Sequence, residues 1–287
     1  MTNCYLMFPQ YNPILFSFGI FSIHWYGIMY LISFYFIMWC ASKRIDLIHL
    51  NKKKIENILY YSFLSAVIGG RLGYVLLYKI NMLFLDPYYI FKIWEGGMSF
   101  HGGLTGAICA MYYFSKRYRY QFFKITDFFA PLVPFGLGAG RIGNFINGEL
   151  WGRVNTSFCL TMLFPNSRSE DLELLKTNPQ WQIIFDKYHV LPRHMSQIYE
   201  MFLEGVLLFI ILNCFVKKCK PTGYISGLFL LLYGLFRTIA EFFRQPDPQI
   251  GLLFNYLSLG QILSFPMIFI GIILIVYSSC NIKRKLK

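Results

Sequence analysis

The sequence predicts an all-α, polytopic integral membrane protein with about seven transmembrane helices and a small external cap. The 287-residue chain is 56% hydrophobic and only 14% charged, whereas soluble domains carry about 25% charged residues. Its apolar residues form runs long enough to cross a bilayer, for which about 20 residues are needed. Its basic residues collect on alternate connections between these runs. We therefore expect a single membrane domain over residues 1–287.

The predicted spans follow from seven apolar runs. The first run contains His24-Trp25-Tyr26, an aromatic group typical of a membrane interface, and it ends before the basic segment Lys43–Lys54. The third run begins within the glycine-rich segment Gly96–Gly103, and the fourth contains the small residues Gly136–Gly140. In chain order the runs are residues 14–40, 56–78, 97–115, 126–146, 197–216, 223–243 and 255–279.

The longest connection, residues 147–196, predicts the cap. It contains three prolines, mixed charge and the apolar clusters Leu160–Phe164 and Trp181–Phe185. A connection of about 50 residues is too long for a bare loop, because loops beyond about 15 residues without structure of their own are uncommon. We expect these residues to fold as a small cap on the outer side of the helices.

The positions of the 27 lysines and arginines orient the chain. Sixteen lie on alternate connections and in the C-terminal tail, eight lie on the other connections, and three lie inside predicted spans. Cytoplasmic connections are enriched in lysine and arginine. We therefore predict an external N-terminus and a cytoplasmic C-terminus. The net charge of +13 then reflects membrane topology and contact with membrane lipid, and it does not indicate nucleic-acid binding.

Three arginines lie inside predicted spans at similar depth. Arg71, Arg141 and Arg237 each follow the predicted start of a helix by 15 residues, which places them roughly 22 Å into the segment. An arginine in the hydrocarbon core costs between about 3 and 17 kcal/mol, so such residues are expected to line a polar cavity. The guanidinium is a forked, permanently charged donor suited to phosphate. The three arginines therefore predict a phosphate-bearing ligand near the outer face.

The predicted topology brings other polar residues to the same outer level. Glu241 lies four residues after Arg237 and Tyr233 four before it, so all three share one helical face. An ion pair between Arg237 and Glu241 is expected. The residues predicted to meet in one outer cavity are Tyr26, Arg71, His101, Arg141, Asn144, Arg237 and Glu241.

Structural interpretations of these residues remain open. Arg71 and Arg237 could be neutralised by Glu241 or by helix-end carbonyls, Tyr26 could belong to an interfacial aromatic belt, and the glycines could serve close helix packing. The alternative function is an anion or lipid transporter, which would need polar residues through both leaflets, whereas the inner halves of the spans are nearly all apolar. A structural scaffold would leave the arginines unexplained. No metal site is predicted, because the histidines lack the i, i+4 spacing of a helical zinc site.

The segment Gly138–Glu149, GAGRIGNFINGE, resembles the signature of the bacterial prolipoprotein diacylglyceryl transferases. The resemblance covers essentially the whole chain. One departure is Met195, where the family usually has proline. The other matching segments are HWYG at 24–27, GGRLGY at 69–74, SFHGG at 99–103, RHMSQIYE at 193–200 and residues 237–247.

The resemblance implies an enzyme of the bacterial inner membrane, with a periplasmic N-terminus. Its substrates would be phosphatidylglycerol and the lipobox cysteine of a prolipoprotein signal peptide, its products a thioether and glycerol-1-phosphate, and no cofactor would be needed. The resemblance also implies roles for residues of this chain. Arg141 and Arg237 would bind phosphate and stabilise the leaving group, and His101 would be the candidate base. Six further residues would complete and orient the site: Tyr26, Arg71, Asn144, Glu149, Tyr233 and Glu241.

Overall fold

The chain is mainly α-helical in this computed structural model, which describes residues 5–18, 21–48, 50–92, 96–158, 160–216, 220–246, 251 and 256–285. The helices are α1 Trp25–Ser42, α2 Lys52–Tyr78, α3 Ile80–Leu85, α4 Phe100–Arg117, α5 Phe122–Phe129, α6 Val133–Ile146, α7 Arg168–Thr177, α8 Gln182–Tyr188, α9 Ser196–Glu200, α10 Leu208–Val216, α11 Tyr224–Glu241 and α12 Leu259–Lys285. A π-helical segment, Met201–Leu207, joins α9 to α10.

Short strands complete the secondary structure. The strands are β1 Leu6–Met7, β2 Ile14–Phe18, β3 Phe21–His24, β4 Thr161–Leu163 and β5 Pro192–His194. Strands β2 and β3 form an antiparallel hairpin. In the other sheet β4 is central, pairing in parallel with β1 and antiparallel with β5. Single short helical turns lie at Ile45–Leu47, Pro87–Phe91, Pro165–Ser167 and Pro179–Trp181.

The chain is a multi-pass membrane protein, as the fold class predicted. Within the described ranges five helical stretches are long and apolar enough to cross a membrane, and a sixth is obtained if α5 and α6 form one broken span. The predicted number of seven is therefore not confirmed. Helix α4 forms where the third span was expected, but its mean hydropathy is too low for it to be counted as a span. The reason is that His101, several glycines and the terminal Lys116 and Arg117 fall within it.

Two predicted spans differ in shape from the expectation. The first was expected to be helical from residue 14, but the helix begins at Trp25 because the preceding β-branched and aromatic residues pair as the hairpin β2–β3. The fourth is interrupted between Phe129 and Val133, because Pro131 lies in the gap and Pro134 in the first turn of α6, and neither has a backbone N–H donor. Arg141 is therefore the ninth residue of α6, and the depth counted along one continuous helix does not apply to it.

The chain separates into two compact units, Met1–Tyr35 with Ala130–Lys287, and Phe36–Phe129. In the second unit α2 packs along α4 through small residues. A side-chain carbon added at Gly69 would lie 3.2 Å from the Cα atom of Gly106, and one added at Gly73 would lie 2.9 Å from the Cα atom of Gly102. The glycines therefore permit the close packing that the sequence left as one interpretation.

The first unit contains a helical core and the predicted cap region. In the core, α10 and α11 bury Leu208, Leu212, Ile225 and Leu228. In the 147–196 region, strands β4 and β5 and helices α7 and α8 surround a separate set of buried apolar side chains, which includes Leu163, Phe164, Phe185 and Leu191. That part of the chain has its own hydrophobic packing. Its place as an external cap stays a prediction.

A buried ion pair joins the elements of the 147–196 region. The side chains of Arg193 and Asp171 are both fully buried, and Nε and Nη2 of Arg193 lie 2.9 and 2.6 Å from Oδ1 of Asp171. The other carboxylate oxygen accepts hydrogen bonds from Ser167 Oγ at 2.7 Å and from the Leu191 backbone N–H at 2.9 Å. Four donors thus converge on one carboxylate and link α7 to β5.

Candidate active site

Three arginines and three glutamates form a buried cluster within the first unit. We refer to it as the arginine–glutamate cluster, and its members are Arg141 on α6, Glu200 on α9, Glu204 on the π-helical segment, Arg237 and Glu241 on α11, and Arg244 just beyond α11. The three carboxylates are at most 4% exposed, whereas the side chains of Arg141 and Arg237 are 18% and 14% exposed. The two arginines are thus the more accessible groups of the cluster.

Glu200 is the central carboxylate. Its Oε2 atom lies 2.7 Å from Arg141 Nε and 3.4 Å from Arg237 Nη1, and its Oε1 atom accepts a hydrogen bond of 3.2 Å from Arg244. One carboxylate therefore contacts all three guanidinium groups. Since a buried charge needs a partner, Glu200 fixes the arginines relative to one another.

Glu204 bridges the same two arginines one helical turn later. Its Oε2 atom lies 3.4 Å from Arg141 Nη2 and its Oε1 atom lies 3.5 Å from Arg237 Nη1. The bridge depends on close packing between α6 and the π-helical segment, because a side-chain carbon added at Gly205 would lie 2.7 Å from the Cα atom of Gly138. Two glycines thus bring Arg141 and Glu204 within reach of each other.

The predicted Arg237–Glu241 ion pair is confirmed. Glu241 Oε1 contacts Arg237 Nη2 and lies 3.9 Å from Arg244 Nε. A side-chain carbon at Gly260, in the first turn of α12, would collide with the Glu241 carboxylate. The first turn of α12 therefore packs directly against the Glu241 carboxylate.

Tyr233 belongs to the same site, as the spacing along α11 indicated. Its side chain is buried, its ring stacks on Phe229 at 5.8 Å, and it interacts electrostatically with Glu204 and Arg237. A phenol in this position presents a neutral hydrogen-bonding group beside the charges.

A second set of predicted residues gathers at the C-terminal end of α6. Asn144 is buried and donates a hydrogen bond of 2.8 Å to Glu149, whose Oε1 atom also accepts from Asn147 at 3.4 Å. The chain turns back through Gly148, which adopts a positive φ of 59°. This turn brings Glu149 against the helix that carries Arg141.

Tyr26 also packs on α6. A side-chain carbon at Gly143 would lie 2.7 Å from the Tyr26 ring, so the glycine leaves the space that the ring occupies. The Tyr26 hydroxyl lies 3.0 Å from that of Tyr30. Tyr26 is therefore held against α6 at Gly143, which lies two residues after Arg141 on the same helix.

Arg71 lies in the second unit and makes a set of protein contacts there. Its Nε and Nη2 atoms donate to the carbonyls of Ile90 at 3.3 Å and Tyr89 at 2.8 Å, and Nη1 donates to the carbonyl of Gly96. The guanidinium also lies 4.9 Å from the Tyr89 ring centroid. Neutralisation by carbonyls was the structural interpretation of this residue, and these contacts give Arg71 a structural role. A substrate contact for Arg71 stays a prediction.

His101, the candidate base, also belongs to the second unit. It is the second residue of α4, it is exposed, and its ring lies edge-on to Phe100 at 5.5 Å. The helix is capped by Ser99, whose Oγ atom accepts from Gly102 N at 3.2 Å. His101 therefore projects from a well-defined helix start, and its catalytic role stays a prediction.

Glu200, Glu204 and Arg244 were not among the candidates drawn from the sequence. Arg141 has no acid within one helical turn in the sequence, and its two carboxylates come from a segment about 60 positions later. A usable signal was present, because Glu200 and Glu204 stand at i and i+4 inside an otherwise apolar span. Two acids on one face of such a span indicate cationic partners elsewhere in the bundle.

Comparison with known proteins gives a consistent result. A family model described as prolipoprotein diacylglyceryl transferase matches residues 13–277. A protein of Wigglesworthia glossinidia brevipalpis named phosphatidylglycerol–prolipoprotein diacylglyceryl transferase is 72% identical over 278 residues, covering 97% of this chain and all of its own. Proteins with the same name are 56% identical in Pectobacterium atrosepticum and 57% identical in Escherichia coli, each covering 97% of both chains. None of these three carries a transporter's name.

Proposed function

Because the chain belongs to the prolipoprotein diacylglyceryl transferase family, we propose that it moves the diacylglyceryl group of phosphatidylglycerol to the lipobox cysteine of a prolipoprotein signal peptide. The cysteine thiol becomes a thioether and glycerol-1-phosphate leaves. This is the first step of lipoprotein lipidation. The protein is a multi-pass membrane transferase, and we propose the bacterial inner membrane as its location.

The observation that carries this function is the convergence of Arg141 and Arg237 on shared carboxylates. Two guanidinium forks that both reach Glu200 and Glu204 are close enough to hold one phosphodiester between them. Arginine binds phosphate through two parallel N–H donors. Both arginines retain some exposure, so the lipid phosphate can approach them from the accessible side of the cluster.

The reaction breaks one bond and forms another at a single carbon. The thiolate sulfur attacks the glyceryl CH₂ carbon that bears the phosphate ester, a C–S bond forms, and the C–O bond breaks with its electron pair passing to the phosphate oxygen. The arginines stabilise the charge that develops there, and such stabilisation is strongest in a site from which water is excluded. The thiol has an ordinary pKa of about 8.5, so a base must take its proton, and His101 is the residue we propose for this step.

The remaining candidates take binding and orienting roles in this proposal. Glu241 orients Arg237 through their ion pair. Asn144 and Glu149, joined by their hydrogen bond, present polar groups beside Arg141 to the glycerol head group. Tyr26 and Tyr233 line the substrate site. Arg71 contributes to substrate binding through the segment around Tyr89, whose carbonyl accepts its hydrogen bond.

The orientation follows from the distribution of basic residues. We propose a periplasmic N-terminus, a cytoplasmic C-terminus and a periplasmic cap formed by residues 147–196. Support comes from the 16 basic residues on the connections assigned to the cytoplasm against eight on the others. In this orientation the substrate lipid comes from the outer leaflet of the inner membrane.

The function is tested with purified protein, phosphatidylglycerol and a synthetic lipobox peptide, and the product is measured by mass spectrometry. We expect the peptide to gain one diacylglyceryl group. Arg141→Lys keeps the charge but loses the fork, so activity should fall at least about tenfold, which is about 1.4 kcal/mol of transition-state stabilisation. Arg141→Ala should lose more.

The matched control is Arg168→Lys, because Arg168 is an exposed arginine of α7. This variant should keep full activity. An unmodified peptide with folded wild-type enzyme would exclude the transferase function for these substrates. Full activity of folded Arg141→Ala would remove the phosphate site from this cluster while leaving the transferase assignment in place.

A further inference from the structure

The carboxylate of Glu204 occupies the position between Arg141 and Arg237 where a bound phosphate is expected. One of its oxygens contacts Nη2 of Arg141 and the other contacts Nη1 of Arg237, at 3.4 and 3.5 Å. An anion with two terminal oxygens is the ligand that the two arginines would share. Its side chain is 1% exposed, so the acid fills this place from inside the protein.

The charge of the arginine–glutamate cluster is already balanced without a ligand. Within the described residues it holds three arginines and three glutamates. A phosphodiester would add one negative charge to a neutral, buried group, and an uncompensated buried charge is strongly unfavourable. Binding is therefore easier if one carboxylate gives up its contacts as the phosphate arrives.

The three carboxylates are not held equally. Glu200 reaches all three arginines and approaches Arg141 Nε to 2.7 Å. Glu241 contacts both Arg237 and Arg244 and is backed by the start of α12. Glu204 makes two long contacts, well beyond the 2.7–2.9 Å that is usual for charge-assisted hydrogen bonds. Its displacement costs least.

The backbone around Glu204 has a route for such a displacement. Glu204 lies in the π-helical segment Met201–Leu207, and π-helical turns are rare, wide and frequent at functional sites. Because a π turn holds more residues than an α turn, a return to α geometry would rotate the Glu204 side chain about the helix axis. The buried phenol of Tyr233 interacts electrostatically with Glu204 and lies on the neighbouring helix.

On the phosphate-binding role proposed above for Arg141 and Arg237, we propose that Glu204 is an internal placeholder for the substrate phosphate. In the unloaded enzyme its carboxylate neutralises the two arginines and keeps them in position. The phosphate of the lipid takes its place on the two arginines, and the return of the π-helical segment to α geometry turns the displaced carboxylate out of the cluster, so that the cluster keeps no net charge. When glycerol-1-phosphate leaves, Glu204 returns. The glutamate thus competes with substrate and product for the same donors.

The test is Glu204→Gln, which keeps the shape of the side chain and removes the competing charge. We expect the inhibition constant of glycerol-1-phosphate and the KM for phosphatidylglycerol both to fall about tenfold. The matched control is Glu200→Gln, which should raise both values because Glu200 holds all three arginines. If Glu204 were merely structural, both variants would bind more weakly, so the KM and the inhibition constant of Glu204→Gln would rise instead of fall.

Glu204→Asp is measured in parallel, so that a folding defect in the glutamine variant does not end the test. The shorter acid cannot reach both arginines, so both constants should fall by less than in Glu204→Gln. An unchanged or higher KM in every folded Glu204 variant overturns the placeholder role. If Arg141→Ala abolishes lipid binding in the same experiments, the phosphate site stands and only the placeholder fails. Normal binding by Arg141→Ala would reject the phosphate site itself.

Discussion

Asp171→Asn is expected to destabilise the 147–196 region severely, although it changes one atom. The Asp171 carboxylate receives four donors, two from Arg193 and one each from Ser167 and the Leu191 backbone. An asparagine has one acceptor oxygen and an NH₂ group. If its oxygen faces Arg193, its NH₂ group faces the Leu191 N–H, and two donors then meet.

The size of the effect follows from what is left unpaired. Breaking a buried ion pair by removing one charge costs about 3–5 kcal/mol. Glu170, whose Oε2 atom lies 3.8 Å from Arg193 Nη2, supplies part of the lost charge, so we expect a value near the lower end. One kcal/mol corresponds to about 2–4 °C in the Tm of a protein of this size. The expected loss is therefore about 6–12 °C.

The measurement is thermal unfolding of the purified protein in detergent, combined with limited proteolysis of residues 147–196. Asp186→Asn is the matched control, because Asp186 is an exposed aspartate of the same region that accepts a hydrogen bond from Gln182. Its effect should stay within about 0.5 kcal/mol. A Tm for Asp171→Asn within 2 °C of the control, a threshold of roughly 1 kcal/mol, would refute the reasoning.

Three further outcomes are expected. Arg237→Ala should weaken phospholipid binding and abolish turnover, whereas Glu241→Ala should bind lipid but turn over slowly because Arg237 loses its orienting partner. The double variant should regain stability at most, because neither charge is then left buried without its partner. Transferase rates and Tm values are measured for all three variants, and regained activity in the double variant would exclude a catalytic role for Arg237. In a background without native cysteines, an external thiol reagent should label a cysteine placed at the exposed Ser169 and not one at Ser42, and the reverse pattern would invert the orientation. Met195→Pro should raise the free energy of unfolding by about 0.4–1 kcal/mol, measured by denaturant unfolding. Met195 already has a φ of −82° immediately before α9, and proline restricts the unfolded chain. A loss of stability would contradict this expectation.

The sequence was most informative where a contact lies within one helix. The Arg237–Glu241 pair and the position of Tyr233 follow from the 3.6-residue period, and the structure has all three on α11. The start of α2 at Lys52 was also close to the expected residue 56, whereas α1 begins 11 residues after the expected residue 14. Periodicity reports one element at a time, so it identifies which face is polar and not which partner that face meets.

Contacts between elements could not be obtained in this way. Arg141 receives its carboxylates from Glu200 and Glu204 because Gly138 and Gly205 allow two helices to touch. Nothing in the spacing of either segment specifies that pairing. The interruption before Val133 was missed for a different reason, since hydropathy averages over Pro131 and Pro134 while the backbone responds to each.

The pairing of strand β1 with β4 has a consequence for how the chain folds during its synthesis. Leu6 pairs with Met162, so β1 forms a sheet with a strand that the ribosome delivers 156 positions later. At a synthesis rate of about 5–20 residues per second, this interval lasts about 8 to 30 s. During that time the helices of the first half must insert while the edge of β1 has no partner. An N-terminal fusion that occupies this edge is therefore expected to lower the yield of folded protein more than the same fusion placed at the C-terminus.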